Sequence, residues 1–190
     1  MPKFKIAIPM LLFFGVFVEE AHGSAFSIDP NEYQTLYQMG NALTDKASWH
    51  NYLEVYSHYF KHLRNEKIKF LEIGIWGGGS LILWENYFTK AEIHGIDTTL
   101  DYIKHPLKRT ICHIANQSKP ADLLRVIKDS GGEFDIILDD GGHLMNQQIT
   151  SFVTLFPYVK KGGLYIIEDL HTSYWKDYGG SGTQQNPNAD

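Results

Sequence analysis

The chain has 190 residues, enough for one domain with a full core, and its 43% hydrophobic and 14% aromatic content excludes a disordered polymer. A net charge of -5, with Lys and Arg scattered along the chain, argues against nucleic acid as the main partner. A single cysteine, Cys112, excludes an internal disulfide and any multi-cysteine metal site, and in its apolar run it reads as a small buried residue.

The first stretch differs from the rest. A basic "MPKFK" precedes "IAIPMLLFFGVFV", an apolar run of signal-peptide length that is short for a membrane span. Small residues follow, so residues 1–23 read as a signal peptide cleaved after Gly23, with Ala25 as a second site. The alternatives are an uncleaved membrane anchor or a buried N-terminal segment. Cleavage would make the protein secreted or exported; otherwise it is cytoplasmic, with membrane contact only through the uncleaved leader.

Residues 24–64 read as helical. Tyr33, Leu36 and Tyr37 mark a short helix. Trp49, Tyr52, Leu53, Tyr56, Phe60 and Leu63 mark a stronger one, with Ser48 as N-cap. Residues 65–178 then alternate strand and helix. "IKFLEIG", "AEIHGID", "TICHIAN", "FDIILDD" and "LYIIEDL" are five strands. Between them lie helices with Leu81, Trp84 and Phe88 on one face, with Leu123, Leu124, Val126 and Ile127 behind Pro120, and with Met145, Ile149, Phe152, Val153 and Phe156 ahead of "KKGG". The expected fold class is α/β, a Rossmann-like doubly wound and mostly parallel sheet. Residues 179–190 are Gly-, Asn- and Gln-rich and read as a flexible polar tail.

The chemistry sits at strand ends, where open α/β sheets bind ligands. "EIGIWGGGS" joins the first strand to a helix, and its glycines let a ligand approach the backbone. Trp76 stands where a dinucleotide fingerprint needs its second glycine, which makes a nicotinamide-dependent oxidoreductase the least favoured reading. Glu72 before the turn suits a cationic group, and Asp97 at the end of the second strand can accept from ribose hydroxyls. A ligand with both features is S-adenosylmethionine. The bland reading is a structural tight turn with a chance acid.

"LDDGGH" and "IED" end the fourth and fifth strands. If these strands are neighbours, Asp140, Glu168 and Asp169 could converge on one ion, and all-oxygen ligands favour Mg²⁺. His143, three residues after Asp140, is the candidate general base that takes a proton from an acceptor hydroxyl. Asp139 reads as support for the loop or the cofactor side. The alternatives are strand-end solvation for the acids and a capping histidine for His143.

"TDKASWHNYLEVYSHYF", "FLEIGIWGGGSLILWENYF", "IHGID" and "FDIILDDGGHLMNQQITSFVTLFPYVKKGGLYIIEDLHTSYW" together resemble class I S-adenosylmethionine-dependent methyltransferases. The branch they resemble is the metal-dependent macrolide-sugar O-methyltransferases of mycinamicin and tylosin type, over roughly residues 31 to 179. The resemblance implies Mg²⁺ at Asp140, Glu168 and Asp169, with His143 as base. It implies S-adenosylmethionine contacts from Glu72, Gly74, Gly78 and Asp97, and from Asn116 and Gln117 near the adenine; many relatives have an acid where Asn116 stands. Thr44, Asp45, Lys46, His50 and Tyr52 belong to the same pattern and are expected to cover the cofactor, while Trp49, Tyr52 and Tyr56 read first as core. His171, Tyr174 and Trp175 either line an acceptor pocket or pack the loop.

The expected activity is Mg²⁺-assisted O-methylation of a small-molecule hydroxyl, with a glycoside as one such acceptor and homo-oligomer assembly left open. The fold expected from the resemblance has seven strands, and the chain ends about 20 residues after the fifth. The last two strands are therefore expected to be missing, leaving an aggregation-prone edge. The alternative function is an exported non-catalytic or truncated methyltransferase-fold binding module.

Overall fold

The structure, a computed structural model, describes residues 5–7, 15–18, 27–48 and 50–180. The proposed cleavage sites, Trp49 and most of the polar tail lie outside these residues. Two short strands, β1 (Lys5–Ala7) and β2 (Gly15–Val18), precede three helices, α1 (Pro30–Gly40), α2 (Asp45–Ser48) and α3 (Tyr52–Phe60). The alternating part follows as β3 (Lys69–Ile73), α4 (Gly79–Tyr87), β4 (Glu92–Asp97), β5 (Thr110–Ile114), α5 (Pro120–Ser130), β6 (Phe134–Asp139), α6 (Met145–Leu155) and β7 (Val159–Ile167). No helix among the described residues is long and apolar enough to cross a membrane.

The strands form one sheet in the order β1-β2-β7-β6-β3-β4-β5. From β7 to β5 all pairings are parallel, which matches the expected Rossmann-like core. The chain runs outward from β3 to β5 and then returns to β6 on the other side of β3. The carboxyl ends of β3 and β6 therefore flank the topological switch point, the place where such sheets open a crevice. Strand β7 differs from expectation at its free side. Two pieces of the stretch read as a leader supply its neighbours, β2 pairing antiparallel from Gly15↔Ile167 to Val18↔Leu164. Backbone groups on the outer side of β7 thus have partners, and the edge expected to be bare is covered.

Alternation along the strands sends side chains to two cores. Phe70, Ile93, Ile136, Leu138, Leu164 and Ile166 pack with α1, α3 and α4, while Leu71, Ile73, Ile96, Ile137, Tyr165 and Ile167 pack with α5 and α6. On the first face an aromatic cluster joins α3 to α4 and the sheet: Phe60 lies 4.9 Å from Tyr56 and 5.6 Å from Trp84, and Trp84 lies 5.5 Å from Phe70. This cluster docks the N-terminal helices over the sheet ends.

Several local expectations change. Helix α1 starts where Asp29 caps it, accepting from Asn31 N and Glu32 N at 3.1 and 3.2 Å, with Pro30 in the first turn. The N-cap of α3 is Asn51, because Ser48 still belongs to α2. "KKGG" lies inside β7 rather than ending a helix, with a register irregularity against β6. Cys112 is half-buried, not buried. Leu124 is exposed on α5. The largest change is in α6: its apolar stripe is split, with Ile149 and Val153 exposed while Phe152 and Phe156 pack partly buried against the second core, and its fully buried residues are Gln148, Ser151 and Leu155. The reason is chemical. Gln148 Nε2 donates to the Glu168 carbonyl at 3.2 Å and Ser151 Oγ donates to the Asp139 carboxylate, so the inner face of α6 satisfies buried polar groups of the strand ends.

This split is testable by urea unfolding. Leu155→Ala is expected to cost about 2–5 kcal/mol, whereas Val153→Ala on the exposed stripe should stay within about 0.5 kcal/mol. Phe60→Ala should cost about 3–5 kcal/mol, because it empties the aromatic cluster.

Candidate active site

The ends of β3, β6 and β7 bring the expected acids together. Asp140 N donates to Ile73 O and Glu168 N donates to Asp139 O, both at 2.9 Å, so the two acidic loops continue the sheet ladder before turning away. Asp139, buried beneath them, accepts from Ser151 Oγ and from Gln117 Nε2 at 3.1 Å. The Gln117 carbonyl oxygen accepts from Gly142 N at 2.7 Å, so one amide ties the 140–142 loop to β6. Asp139 is therefore the loop support expected of it. A Cβ on Gly141 would lie 1.9 Å from the Gln117 carbonyl oxygen, and one on Gly74 (φ +97°) 2.0 Å from Asp140 O, so both glycines are needed for close packing.

Lys46 was the residue whose role sequence reasoning did not foresee. Its side chain is 1% exposed, and its ammonium pairs with Asp140, with Glu168 Oε2 at 2.8 Å and with Glu72 Oε1 at 3.8 Å. Burial opposes its charge, but Asp140, Glu168 and Glu72 outweigh burial and hold it protonated. Helix α3 adds two phenols: Tyr52 OH donates to Asp169 and Tyr56 OH to Glu168. Both tyrosines are buried, as the core reading required, yet their hydroxyls serve the site. The signal available in the sequence was the spacing of Lys46, Tyr52 and Tyr56 at one end of an apolar helical segment.

The acids thus divide into two groups. Glu72 and Glu168 are buried at 0% and 2% exposure, and neither lines a cavity. Both Glu168 oxygens are taken by Lys46 and Tyr56, and burial and Asp140 push its carboxyl up. Glu72 Oε2 accepts from Ser80 Oγ at 2.9 Å while Oε1 has no hydrogen-bond partner, and burial raises this carboxyl to about 7. Asp140 and Asp169 instead face a cavity with His143. His143 Nε2 lies 3.8 Å from Asp140 Oδ1 and 3.5 Å from Asp169 Oδ2, and one ligand atom from each of the three falls within 4.8 Å of the others. His143 and Asp169 both have left-handed backbones, φ 58° and 54°, as does Trp76 at 46°. Three such residues round one crevice mark a site whose geometry the surrounding structure imposes.

Two cavities share Gly74, Trp76, Asp140 and Gly141. The larger, about 540 Å³, is lined by Thr44, Asp45, Gly79, Ser80, Asp140, His143 and Asp169 among others. The smaller, about 300 Å³, is lined by Asp97, Thr98, Asn116 and Gln117. Asp97 also braces the glycine turn, its Oδ2 accepting from Ile75 N and Trp76 N at 2.9 and 3.0 Å. The amide oxygen of Asn116 accepts from Ser118 N and Oγ, at 2.9 and 2.7 Å. Gly78 shapes the start of α4 with φ 82°, whereas Gly77 and Gly79 reach the cavity wall. His50 stacks on Tyr52, and His171 lies 3.8 Å from Asp169 Oδ1 with its ring edge-on to Trp175. Tyr174 and Trp175 are not among the described residues that line either cavity.

A doubly wound sheet with a glycine turn, an acid ending β4, and a carboxylate–histidine cluster across the switch point carries the class I S-adenosylmethionine-dependent methyltransferase fold. Within that class the chain is a relative of the macrolide-sugar O-methyltransferases. No family model matches it. It is 41% identical over 143 residues to 8-demethyl-8-(2-methoxy-alpha-L-rhamnosyl)-tetracenomycin-C 3'-O-methyltransferase of Streptomyces olivaceus, covering 71% of this chain and 36% of that one. It is 39% identical to demethylmacrocin O-methyltransferase of Streptomyces fradiae, covering 73% and 36%, and to mycinamicin VI 2''-O-methyltransferase of Micromonospora griseorubida, covering 68% and 34%. A solved structure of MycE methyltransferase with Mg, SAH and mycinamycin VI superposes with a TM-score of 0.72 at 35% identity, covering 80% of this chain and 43% of that one. The chain thus spans a little over a third, 36% to 38%, of the first curated relatives it matches.

The raised carboxyls predict a pH signature. Burial holds Glu72 at about 7 and Asp139 at about 6, above their ordinary values of 4.5 and 3.8. The folded state keeps these protons longer than the unfolded state. Their stabilisation is therefore full below pH 4 and is lost as the pH rises to 7. Glu72→Gln and Asp139→Asn should each flatten the fall of the urea midpoint between pH 4 and 7 relative to the parent.

Proposed function

We propose that the protein is an S-adenosylmethionine-dependent, Mg²⁺-assisted O-methyltransferase acting on a sugar hydroxyl of a small glycoside. The observation that carries this reading is the convergence of Asp140, His143 and Asp169 on one cavity that continues past Gly74 to Asp97 and Asn116. The donor set fits Mg²⁺: hard carboxylate oxygens on Asp140 and Asp169 face the cavity, leaving room for water and acceptor oxygens. Glu168, the third acid expected to hold the ion, stands behind them against Lys46 and Tyr56. Mg²⁺, when bound, supplies charge neutralisation and lowers the pKa of an acceptor hydroxyl.

The chain's own groups account for the rest. Asp97, with Asn116 and Gln117 beside it, serves the ribose and adenine in the smaller cavity, and Gly74 and Gly141 keep the wall between the cavities thin. Glu72 lies beneath the glycine turn, where Ser80 Oγ donates to its Oε2, and so supports the turn from the buried side. His143 Nε2 takes the acceptor proton, and the carboxylates of Asp140 and Asp169 stabilise the imidazolium that forms. The acceptor oxygen then bonds to the methyl carbon as the carbon–sulfur bond breaks, leaving S-adenosylhomocysteine. Holding the two reactants in line supplies much of the acceleration. A non-catalytic binding module would use the same cavities, but it gives no role to a histidine held at positive φ between two acids.

Calorimetry with S-adenosylhomocysteine, with and without MgCl₂, should show saturable binding of both; absence of nucleotide binding removes the proposal. Asp140→Asn is expected to abolish metal-dependent turnover while sparing S-adenosylhomocysteine affinity. His143→Gln should lower turnover by about 10²-fold or more with affinity kept. Unchanged turnover in either variant would exclude that residue's role.

A further inference from the structure

We propose that Trp76, backed by Tyr102, forms an aromatic shelf that binds the apolar face of the acceptor's pyranose ring; this rests on the glycoside reading above. Trp76 occupies the glycine turn after β3 with a left-handed backbone, φ 46°, between Ile75 and Gly77, whereas Gly74 and Gly78, two residues away on either side, take such angles at no cost. Nothing in the packing of the core calls for the indole. It is 72% exposed, the most exposed of the large hydrophobic side chains among the described residues. Its ring stacks on Tyr102, itself 56% exposed, with centroids 5.2 Å apart and planes 23° from parallel. The position is nevertheless held firmly, because Asp97 Oδ2 accepts from both Ile75 N and Trp76 N.

A large apolar ring kept in water at a strained backbone position, and braced there by a pair of hydrogen bonds to Asp97, is the pattern of a ligand surface rather than of packing. Its location names the ligand. Trp76 lines both cavities, so it borders the larger one together with Asp140 and His143 and the smaller one together with Asp97. Aromatic faces are electron-rich, and the axial C–H bonds of a pyranose present a weakly positive, apolar face that stacks on them. A sugar seated on the shelf would keep its hydroxyls free to point into the larger cavity, toward His143. The polar groups nearest the shelf on that rim, Lys104 and His105, would take hydroxyls at the ring edge.

The probe is methyl α-L-rhamnopyranoside, which carries a sugar ring and no aglycone, titrated with and without S-adenosylhomocysteine while tryptophan fluorescence is followed. The parent protein should show a saturable, sugar-dependent change that is absent in Trp76→Ala. Sugar affinity should fall about threefold to tenfold in Trp76→Ala and in Tyr102→Ala, and Trp76→Phe should restore most of it. S-adenosylhomocysteine affinity by calorimetry should stay within about twofold in Tyr102→Ala, whose residue lines neither cavity, and unchanged urea midpoints show that all three variants fold. No sugar-dependent change in the parent, or equal sugar affinity in parent and Trp76→Ala, overturns the shelf. Loss of S-adenosylhomocysteine affinity in Trp76→Ala with sugar affinity kept assigns the ring to the cofactor instead and also overturns it. If the parent binds no S-adenosylhomocysteine, the methyltransferase reading fails separately, and the sugar titration without nucleotide still decides the shelf.

Discussion

A buried ammonium surrounded by acids from three strand ends is the constraint on which the site depends. Glu72, Asp140 and Glu168 would repel one another if left without a cation, and burial pushes the carboxyls of Glu72 and Glu168 up. Lys46 lies between them, 1% exposed, and balances one of those charges. Removing one partner of such a cluster typically costs about 3–5 kcal/mol, because the others stay buried and uncompensated. Since Lys46 belongs to α2, Glu72 to β3, and Asp140 and Glu168 to the residues that directly follow β6 and β7, the same contact fastens the N-terminal helices over the sheet ends. The phenols of Tyr52 and Tyr56 reinforce the contact from α3, and the Phe60–Trp84–Phe70 cluster holds α3 from behind.

That arrangement explains why two carboxylates remain for chemistry. With Glu72 and Glu168 turned inward, Asp140 and Asp169 are left on the cavity side with His143 within 4 Å of each. The cost is paid in backbone conformation: His143, Asp169 and Trp76 all take left-handed angles that L-residues avoid. Support comes from groups no one would rank as catalytic. Gln117 ties the 140–142 loop to Asp139, Ser151 donates to Asp139, and Gln148 caps the Glu168 carbonyl. These three side chains occupy buried positions that an apolar core would otherwise fill, and with Gln148 and Ser151 on the inner face of α6, Ile149 and Val153 are left toward water.

The likeness to macrolide-sugar O-methyltransferases extends over most of this chain but a little over a third of the first relatives' length. On the outer side of β7, β1 and β2 add an antiparallel pair drawn from the N-terminal stretch. An edge strand satisfied in this way needs no particular side-chain chemistry, only exposed N–H and C=O groups and an extended partner.

Local periodicity by itself determined the alternation of strands and helices, and with it the class of fold. Apolar runs of strand length, separated by helical spacing and glycine or proline punctuation, leave few other architectures. The acids and histidine were also visible, because charged residues at the ends of apolar strands have no packing reason to be there. Tertiary structure alone decided which acids face solvent and which face Lys46, since a lysine 94 residues from Asp140 and 122 from Glu168 enters their environment only through the docking of α2. It also decided the buried face of α6. Hydrophobic spacing predicts burial only where the surface opposite is apolar, and here that surface includes the Glu168 carbonyl and the Asp139 carboxylate, which must be hydrogen-bonded.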